Sequence, residues 1–319
     1  FMQKHAVTLH ALQSIPFKES AGRYFRALRL ALSSADEIQI YKTQLCNSRQ
    51  DKGLNDHALH QYSILLRDFG FYDQAIEVAR ERFVDIISSR EFGCKKKKKN
   101  ESWIGDAKLA LSDLKEDMER RGIQIFLISG TLLGCIREGG IIGHDKDIDV
   151  GFDEKYSVDQ VKDAIRQSPR FRFLEIPFES NVYIQHANGV SIDLFRHYLQ
   201  DGLYFHEGIK ARWWNTPFEL MEVDFLGGRY FIPSNHDVYL TENYGDWRIP
   251  NSDFETFVDT PNMEVTVKGQ LLWYYMTKLS DYYLYGKKGQ FDRVWQACSK
   301  LHPDISFSEQ IMIPLLRRI

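Results

Sequence analysis

The sequence has few of the features that mark secreted, membrane-spanning or nucleic-acid-binding proteins. It has four cysteines in 319 residues, and their scattered positions match neither a zinc site nor a disulfide framework. No long uncharged apolar stretch occurs, and the N-terminus lacks the continuous apolar segment of a signal peptide. We therefore expect reduced thiols and a cytoplasmic protein that has no transmembrane segment and is not exported by the signal-peptide route.

The chain also lacks a strong charge imbalance. Its 41 Lys and Arg against 44 Asp and Glu give a net charge of −3, and the pI is about 6.4. A broad polyanion-binding surface is not expected from this balance, so we predict no nucleic-acid partner. Apolar residues make up 43% and charged residues 27%, which is ordinary globular composition in a chain long enough for two domains.

The first part of the chain predicts an all-helical region over residues 1–94. It has no proline between Pro16 and residue 92, and its apolar residues recur at helical spacing. The pattern Gly-x-Tyr-x-x-Ala occurs at Gly22 and again at Gly70. It resembles the middle of a tetratricopeptide repeat, although the two copies are further apart than the period of about 34 residues. Two interpretations stay open: a docking module like that repeat, or a helical extension that supports the second domain.

Five consecutive lysines occupy positions 95–99. Because like charges at every position repel and bury nothing, we predict a solvated linker over 95–101. The alternative is contact with an anionic polymer or with an anionic lipid surface, such as the inner face of a membrane. The lysines or the helical region would then make a peripheral contact with the membrane or a biosynthetic complex.

Residues 102–319 are predicted to form one domain of mixed α and β structure. Residues 103–121 indicate an amphipathic helix with Ile104, Leu109, Leu111 and Leu114 on its apolar face. The predicted fold class is α+β, a mixed sheet flanked by helices and preceded by the all-helical region. The predicted strands lie at 123–128, 147–152, 182–189, 190–199, 202–208 and 229–234, and helices return at 267–301.

Aspartates in two of these strands predict a metal site. Asp147 and Asp149 lie two residues apart, so their side chains point to one face of the strand while Ile148 faces the core. Asp193 lies in a second strand with a similar alternation of polar and apolar residues. Carboxylate oxygens suit Mg²⁺ or Mn²⁺. Asp147, Asp149 and Asp193 are therefore the predicted catalytic and metal-binding residues, and such a triad is typical of two bound cations.

The turn formed by Ser129, Gly130 and Thr131 ends one strand and begins a helix. Glycine allows the backbone to approach a phosphate closely, and the N–H groups of the first helical turn supply donors. These three residues are the predicted phosphate-binding turn. Arg137 and Lys146 follow in the loop that leads to the aspartates, where either would offset the charge of a diphosphate. A solvated loop charge is the alternative for both.

Trp213, Trp214 and Asn215 form the last candidate group. Adjacent tryptophans in an extended segment face opposite sides, so one is predicted to stack on a pyrimidine or sugar and the other to pack in the core. A core role for both rings stays open. His206 lies just before this group, and a lone histidine is more often an ordinary hydrogen-bonded residue than a ligand.

The order of these elements, a Ser-Gly turn, a gap, Asp-x-Asp and a later carboxylate, resembles the nucleotidyltransferase superfamily. Three longer segments are similar to the LicD/fukutin family over roughly residues 103–260, namely SGTLLGCIREGGIIGHDKDIDVGF, HEGIKARWWNTPFEL and FLGGRYFIPSNHDVYLTENYGDW. Lys146 stands where LicD proper favours an acid, which is closer to the fukutin branch. The resemblance implies transfer of ribitol phosphate or glycerol phosphate from a CDP-activated donor to a sugar hydroxyl. The acceptor would be a glycan or a capsule or teichoic-acid-like polymer of the cell envelope, and CMP would be released.

Three alternatives stay open. A LicD-type enzyme would transfer phosphocholine from the same class of donor. A nucleotidyltransferase would use an NTP and release pyrophosphate in place of CMP. A scaffold protein would bind partners through the helical region and have an inert second domain. The residues themselves specify neither the head group nor the acceptor.

Overall fold

The computed structural model describes residues 25–29, 32, 34, 37–48, 52–96, 102–143, 145–174, 176 and 178–302. The chain divides into two compact units, a helical unit of residues 1–97 with 268–319 and a sheet unit of residues 98–267. Among the residues that the structure describes, no helix is long and apolar enough to cross a membrane.

The secondary-structure elements are numbered here in chain order. The helices are α1 (Ile38–Ser48), α2 (Lys52–Asp68), α3 (Tyr72–Ser89), α4 (Trp103–Glu119), α5 (Ser129–Leu133), α6 (Val158–Arg166), α7 (His236–Tyr244), α8 (Thr256–Asp259), α9 (Lys268–Leu284) and α10 (Lys288–Leu301). The strands are β1 (Ile125–Leu127), β2 (Asp147–Asp153), β3 (Phe171–Phe173), β4 (Asn181–His186), β5 (Ser191–Gln200), β6 (Leu203–Glu207), β7 (Ala211–Asn215), β8 (Leu220–Phe225), β9 (Gly228–Pro233) and β10 (Met263–Val265).

The helical unit combines described helices from before and after the sheet unit in the sequence. Helix α3 packs against both α2 and α9, and its Phe83 ring lies against Phe291 and Trp295 of α10. The sequence predicts 102–319 as one domain, but α9 and α10 group instead with the N-terminal helices because their apolar side chains are buried there. The described part of 1–94 is helical where it is regular. The tetratricopeptide-like arrangement is not confirmed, and Gly22 lies outside the described residues.

The sheet unit is built on a ten-stranded mixed sheet, which agrees with the prediction of mixed α and β structure. The strand order is β10-β7-β6-β5-β2-β1-β9-β8, and β4 pairs with the first half of β5 and with β3. The pairs β2–β5 and β1–β9 are parallel, and the other pairs are antiparallel. Strands β2 and β5 therefore lie side by side near the middle of the sheet.

One face of β2 and β5 forms the core of this unit. Ile148, Val150, Ile192 and Leu194 are fully buried in the same cluster as Leu111 of α4. Because side chains alternate along a strand, the odd-numbered residues of β2 and β5 project from the opposite face.

Helix α4 contributes Trp103, Ala107, Leu111 and Leu114 to that core. The prediction for its apolar face was wrong at Ile104 and Leu109, which are each 52% exposed. Small alanines at buried positions let the helix approach the sheet closely. The buried face of the helix is therefore not the face that carries its largest apolar side chains.

Candidate functional site

The pairing of β2 with β5 brings the predicted acids together. Asp149 lies directly opposite Asp193, and Asp147 lies opposite Ser191, in the parallel register. Since residues paired in register point to the same face of a sheet, Asp147, Asp149 and Asp193 project together from the face that is not the core. Their proposed role as metal ligands stays a prediction.

Asp145 is a fourth carboxylate beside this group, and sequence reasoning missed it. Burial, reinforced by repulsion from Asp147, raises the pKa of Asp145 to about 6. A Cβ atom added to Gly130 would lie 2.6 Å from Asp145 Oδ2, so this acid lies against the predicted phosphate turn. Asp145, Asp147 and Asp149 occupy every second position, and this spacing is the sequence pattern that indicates Asp145 as a further member of the group.

Burial and mutual repulsion shift the pKa values of the acids. Burial, followed by Asp147, raises the pKa of Asp193 to about 7. Burial and then repulsion from the other acids raise the pKa of Asp149 well above its usual range. Carboxyls crowded in this way have the oxygen chemistry that a divalent cation prefers. No group of three or more described His, Cys, Asp or Glu side chains is already arranged around a metal position, so the fit rests on the chemistry of the donors.

Asp193→Asn is expected to stabilise the cation-free protein at pH 8 and to have a much smaller effect at pH 4. The pKa of Asp193 rises from 3.8 to about 7 on folding. The folded protein therefore keeps a proton that the unfolded chain releases, and stability decreases as the pH rises between those two values. Removing the charge should raise the free energy of unfolding at pH 8 by roughly 2–4 kcal/mol.

Thermal unfolding of both proteins in EDTA, at pH 4 and pH 8, tests this expectation. An equal shift in melting temperature at the two pH values would show that burial and repulsion do not govern the ionisation of Asp193.

The Ser129 turn is bonded directly to the strand that carries the acids. Ile128 is extended, and Ser129 opens α5 with φ of 47°, in the left-handed region. The backbone N–H of Gly130 donates to the Asp149 carboxylate, and the N–H of Asp149 donates to Thr131 Oγ1 at 2.9 Å. A phosphate bound at this turn would therefore lie next to the acids, and it would compete with Asp149 for the Gly130 N–H.

Helix α7 places two tyrosines beside this group. Tyr239 lies against Ser129, and burial raises its pKa. Burial, together with Asp149 and the other nearby acids, raises the pKa of Tyr244 well above its usual value. Both phenols therefore stay neutral near the carboxylates. Both tyrosines lie in a segment that resembles the LicD/fukutin family, and Tyr244 begins its closing Tyr-Gly-Asp-Trp, whereas no further sequence pattern distinguishes Tyr239 from the other tyrosines.

Asn215, which is grouped with the tryptophans as a predicted donor-binding residue, holds α7 to the sheet. Its Nδ2 donates to Glu242 Oε2 at 3.0 Å. The neighbouring Thr216 donates to the same carboxylate from its N–H and from its hydroxyl. Asn215 is almost completely buried, so this contact positions the helix that carries Tyr239 and Tyr244.

The two tryptophans lie on opposite faces of β7. Trp213 projects from the same face as the acids, where it is 8% exposed and stacks on His206 with ring centroids 5.3 Å apart. Trp214 projects from the other face and donates its Nε1–H to Glu264 at 2.8 Å. Strand β6 separates both rings from β5, so neither is next to Asp193.

The two basic side chains that are predicted to offset diphosphate charge, Arg137 and Lys146, differ in their surroundings. Arg137 is largely buried, donates to the Trp247 carbonyl at 3.1 Å and pairs with Glu138. Lys146 is exposed and lies directly after Asp145, whose pKa it lowers slightly against the larger effect of burial. Lys146 is thus the one that lies beside the acids.

A pair of buried histidines lies further along the same face. The rings of His197 and His206 stack with centroids 4.7 Å apart, between Phe126 and Trp213. Burial lowers the pKa of His197 to about 4 and that of His206 well below its usual value. Both rings are therefore neutral, and His206 Nδ1 has no hydrogen-bond partner among the described residues.

His206→Phe is expected to reduce the loss of stability in acid. Because the folded pKa of His206 lies below its unfolded value near 6.5, its contribution to stability is present above that pH and decreases as the pH falls. Phenylalanine keeps the stacked ring and takes up no proton. Melting temperatures between pH 7 and pH 4.5 measure the effect, and an unchanged slope in the variant would contradict it.

Comparisons with known proteins place this part of the chain near one family. Residues 122–235, which include the Ser129 turn and all four acids, match the family model described as LicD/FKTN/FKRP, nucleotidyltransferase domain. Through this segment the chain is similar to the LicD/fukutin family. The family segment thus spans β1 to β9, the part of the sheet that positions the acids.

Two curated relatives carry the name ribitol-5-phosphate transferase FKTN. The mouse protein is 24% identical over 285 residues, which cover 81% of this chain. The human protein is 26% identical over 169 residues, which cover 50% of this chain. The chain spans 60% of the length of the mouse protein and 36% of the length of the human protein.

Proposed function

We propose that this chain carries a metal-dependent phosphotransferase site that moves an alditol phosphate from a CDP-activated donor to a sugar hydroxyl. The observation that carries the proposal is the alignment of Asp149 with Asp193 across β2 and β5, with Asp147 and Asp145 beside them. The transferred group is ribitol phosphate or glycerol phosphate, and the names of the relatives favour ribitol phosphate. The acceptor is a glycan or a capsule or teichoic-acid-like polymer.

The family description also supports a nucleotidyltransferase-type fold for the sheet unit. Asp147, Asp149 and Asp193 are the residues that would hold Mg²⁺ or Mn²⁺. Such ions, when bound, neutralise the diphosphate and lower the pKa of the attacking hydroxyl.

The transfer step is a displacement at the distal phosphorus of the donor. Asp193 accepts the proton of the acceptor hydroxyl, and the hydroxyl oxygen forms the new bond to phosphorus. The bond from that phosphorus to the CMP oxygen breaks, and CMP leaves with the electron pair. The product is a phosphodiester.

The donor is held by the turn beside the acids. Ser129, Gly130 and Thr131 contact the diphosphate, because this turn adjoins Asp149 and Asp145. Of the two basic side chains, Lys146 is better placed to offset diphosphate charge. Arg137 already donates to the Trp247 carbonyl and pairs with Glu138. Stacking of one of the two tryptophans on a pyrimidine or sugar stays a prediction, and contact of lysines 95–99 with an anionic surface stays the alternative to a solvated linker.

A direct assay tests the proposal. The purified chain is incubated with Mg²⁺, a panel of p-nitrophenyl glycosides and, separately, CDP-ribitol, CDP-glycerol, CDP-choline or CTP. CMP release that requires Mg²⁺, together with a glycoside heavier by one alditol phosphate, is the expected result. Pyrophosphate release from CTP would favour a nucleotidyltransferase, and turnover of CDP-choline alone would favour phosphocholine transfer. Absence of CMP release with every donor would contradict the proposal.

A further inference from the structure

Tyr183 is a phenol beside the acids that the proposed reaction does not yet use. It lies on β4 directly opposite Asp193, so both side chains project from the same face of the sheet. Its side chain is 8% exposed and lies edge-on to Phe195, with ring centroids 6.4 Å apart. The position is therefore fixed by packing and next to the predicted proton acceptor.

The hydroxyl of Tyr183 is oriented by Asn181. Asn181 Nδ2 donates to Tyr183 Oη at 3.1 Å and to the Glu207 carbonyl at 2.6 Å. Asn181 Oδ1 accepts the backbone N–H of Arg196 at 3.2 Å. Because a backbone carbonyl and a backbone N–H fix which amide atom is which, the nitrogen faces Tyr183 and acts only as a donor.

This bond decides what the phenol does. Tyr183 Oη accepts from Asn181, and its one proton is left to be donated in another direction. The carboxylates beside it accept hydrogen bonds when ionised and give none. An acceptor hydroxyl that passes its proton to Asp193 has two lone pairs, of which one must be directed at phosphorus.

We propose that Tyr183 donates a hydrogen bond to the acceptor sugar hydroxyl and orients it for attack. The bond occupies one lone pair, leaves the other for phosphorus and directs the sugar O–H toward Asp193. This inference rests on the proposed function and adds a specific contact on the acceptor side of the site. Orientation of a reacting group in this way is worth roughly tenfold to 100-fold in rate.

Tyr183→Phe tests the inference, because it removes the hydroxyl and keeps the ring. The expected result is a fall of about tenfold to 100-fold in kcat/KM for the p-nitrophenyl glycoside that the wild-type chain uses. The affinity for CDP in the presence of Mg²⁺, measured by calorimetry, should be unchanged. The matched control is Tyr198→Phe, which removes a half-buried hydroxyl from the opposite face of β5 and should leave kcat/KM within twofold of the wild-type value.

The outcomes separate the two proposals. If Tyr183→Phe keeps the wild-type kcat/KM for the glycoside, the acceptor contact is wrong and the proposed function is unaffected. If CDP affinity falls in parallel with kcat/KM, the hydroxyl acts on the donor or on the fold, and the inference is also wrong. A wild-type chain that releases no CMP from CDP-ribitol or CDP-glycerol would overturn both.

Discussion

Asp149→Asn is expected to reduce CMP release from CDP-ribitol by about 10²–10³-fold while the protein stays folded. Asp149 lies opposite Asp193 and is bonded through its carboxylate and its N–H to the Gly130–Thr131 turn. The substitution keeps the shape of the side chain but removes a charge at the centre of the acids. Because that charge is repelled by its neighbours, cation-free stability should rise while activity falls.

The matched control for this prediction is Asp153→Asn. Asp153 lies on the same strand and face as Asp149, four residues further on, opposite His197. It is expected to retain activity within twofold of the wild-type value. Steady-state CMP release and thermal unfolding are measured for both variants. Equal activity of Asp149→Asn and the wild-type chain would remove the basis of the proposed site.

Gly151→Ala is expected to lower the free energy of unfolding of the sheet unit by about 3 kcal/mol. A Cβ at this position would lie 2.4 and 2.5 Å from two ring atoms of Phe126 and 2.8 Å from His197 Cε1. Phe126 is buried in the core cluster and His197 is stacked on His206, so neither ring has room to move. The strand would have to shift, and Asp149 would shift with it.

Gly105→Ala is the control for this second prediction. Gly105 lies in α4, and a Cβ there meets nothing within 4 Å. Alanine in a helix interior is expected to stabilise by up to about 1 kcal/mol relative to glycine. Chemical denaturation of the two variants gives the comparison. A Gly151→Ala variant as stable as the wild-type protein would show that the Phe126 and His197 rings repack freely.

Local patterns in the sequence predicted the elements that carry the site. The alternation Asp147-Ile148-Asp149-Val150 predicts a strand with acids on one face, and β2 has that arrangement. Helical spacing predicts the helical character of the described N-terminal residues and of α9 and α10. The short strands β3, β8 and β10 were not predicted, because three to six residues with partial burial leave little periodicity to detect.

Local sequence patterns do not predict contacts between residues that are far apart along the chain. The pattern around Asp193 predicts only a strand with one polar face, and the parallel register of β2 and β5 places Asp193 beside Asp149. The packing of α7 on the sheet brings Tyr244 beside the acids and Glu242 within hydrogen-bond distance of Asn215. The stacking of His197 on His206 likewise follows from the pairing of β5 with β6.

The sequence by itself determined the strand that carries Asp147 and Asp149, the helical character of the described N-terminal residues and of α9 and α10, and the similarity of residues 122–235 to the LicD/fukutin family. Those properties depend on neighbours within a few residues along the chain. The tertiary structure decided which acids meet, that Asp145 joins them, and that α9 and α10 pack with the N-terminal helices. The physical reason is that strand register and helix packing are set by burial of side chains far apart in sequence, and no local periodicity encodes that pairing.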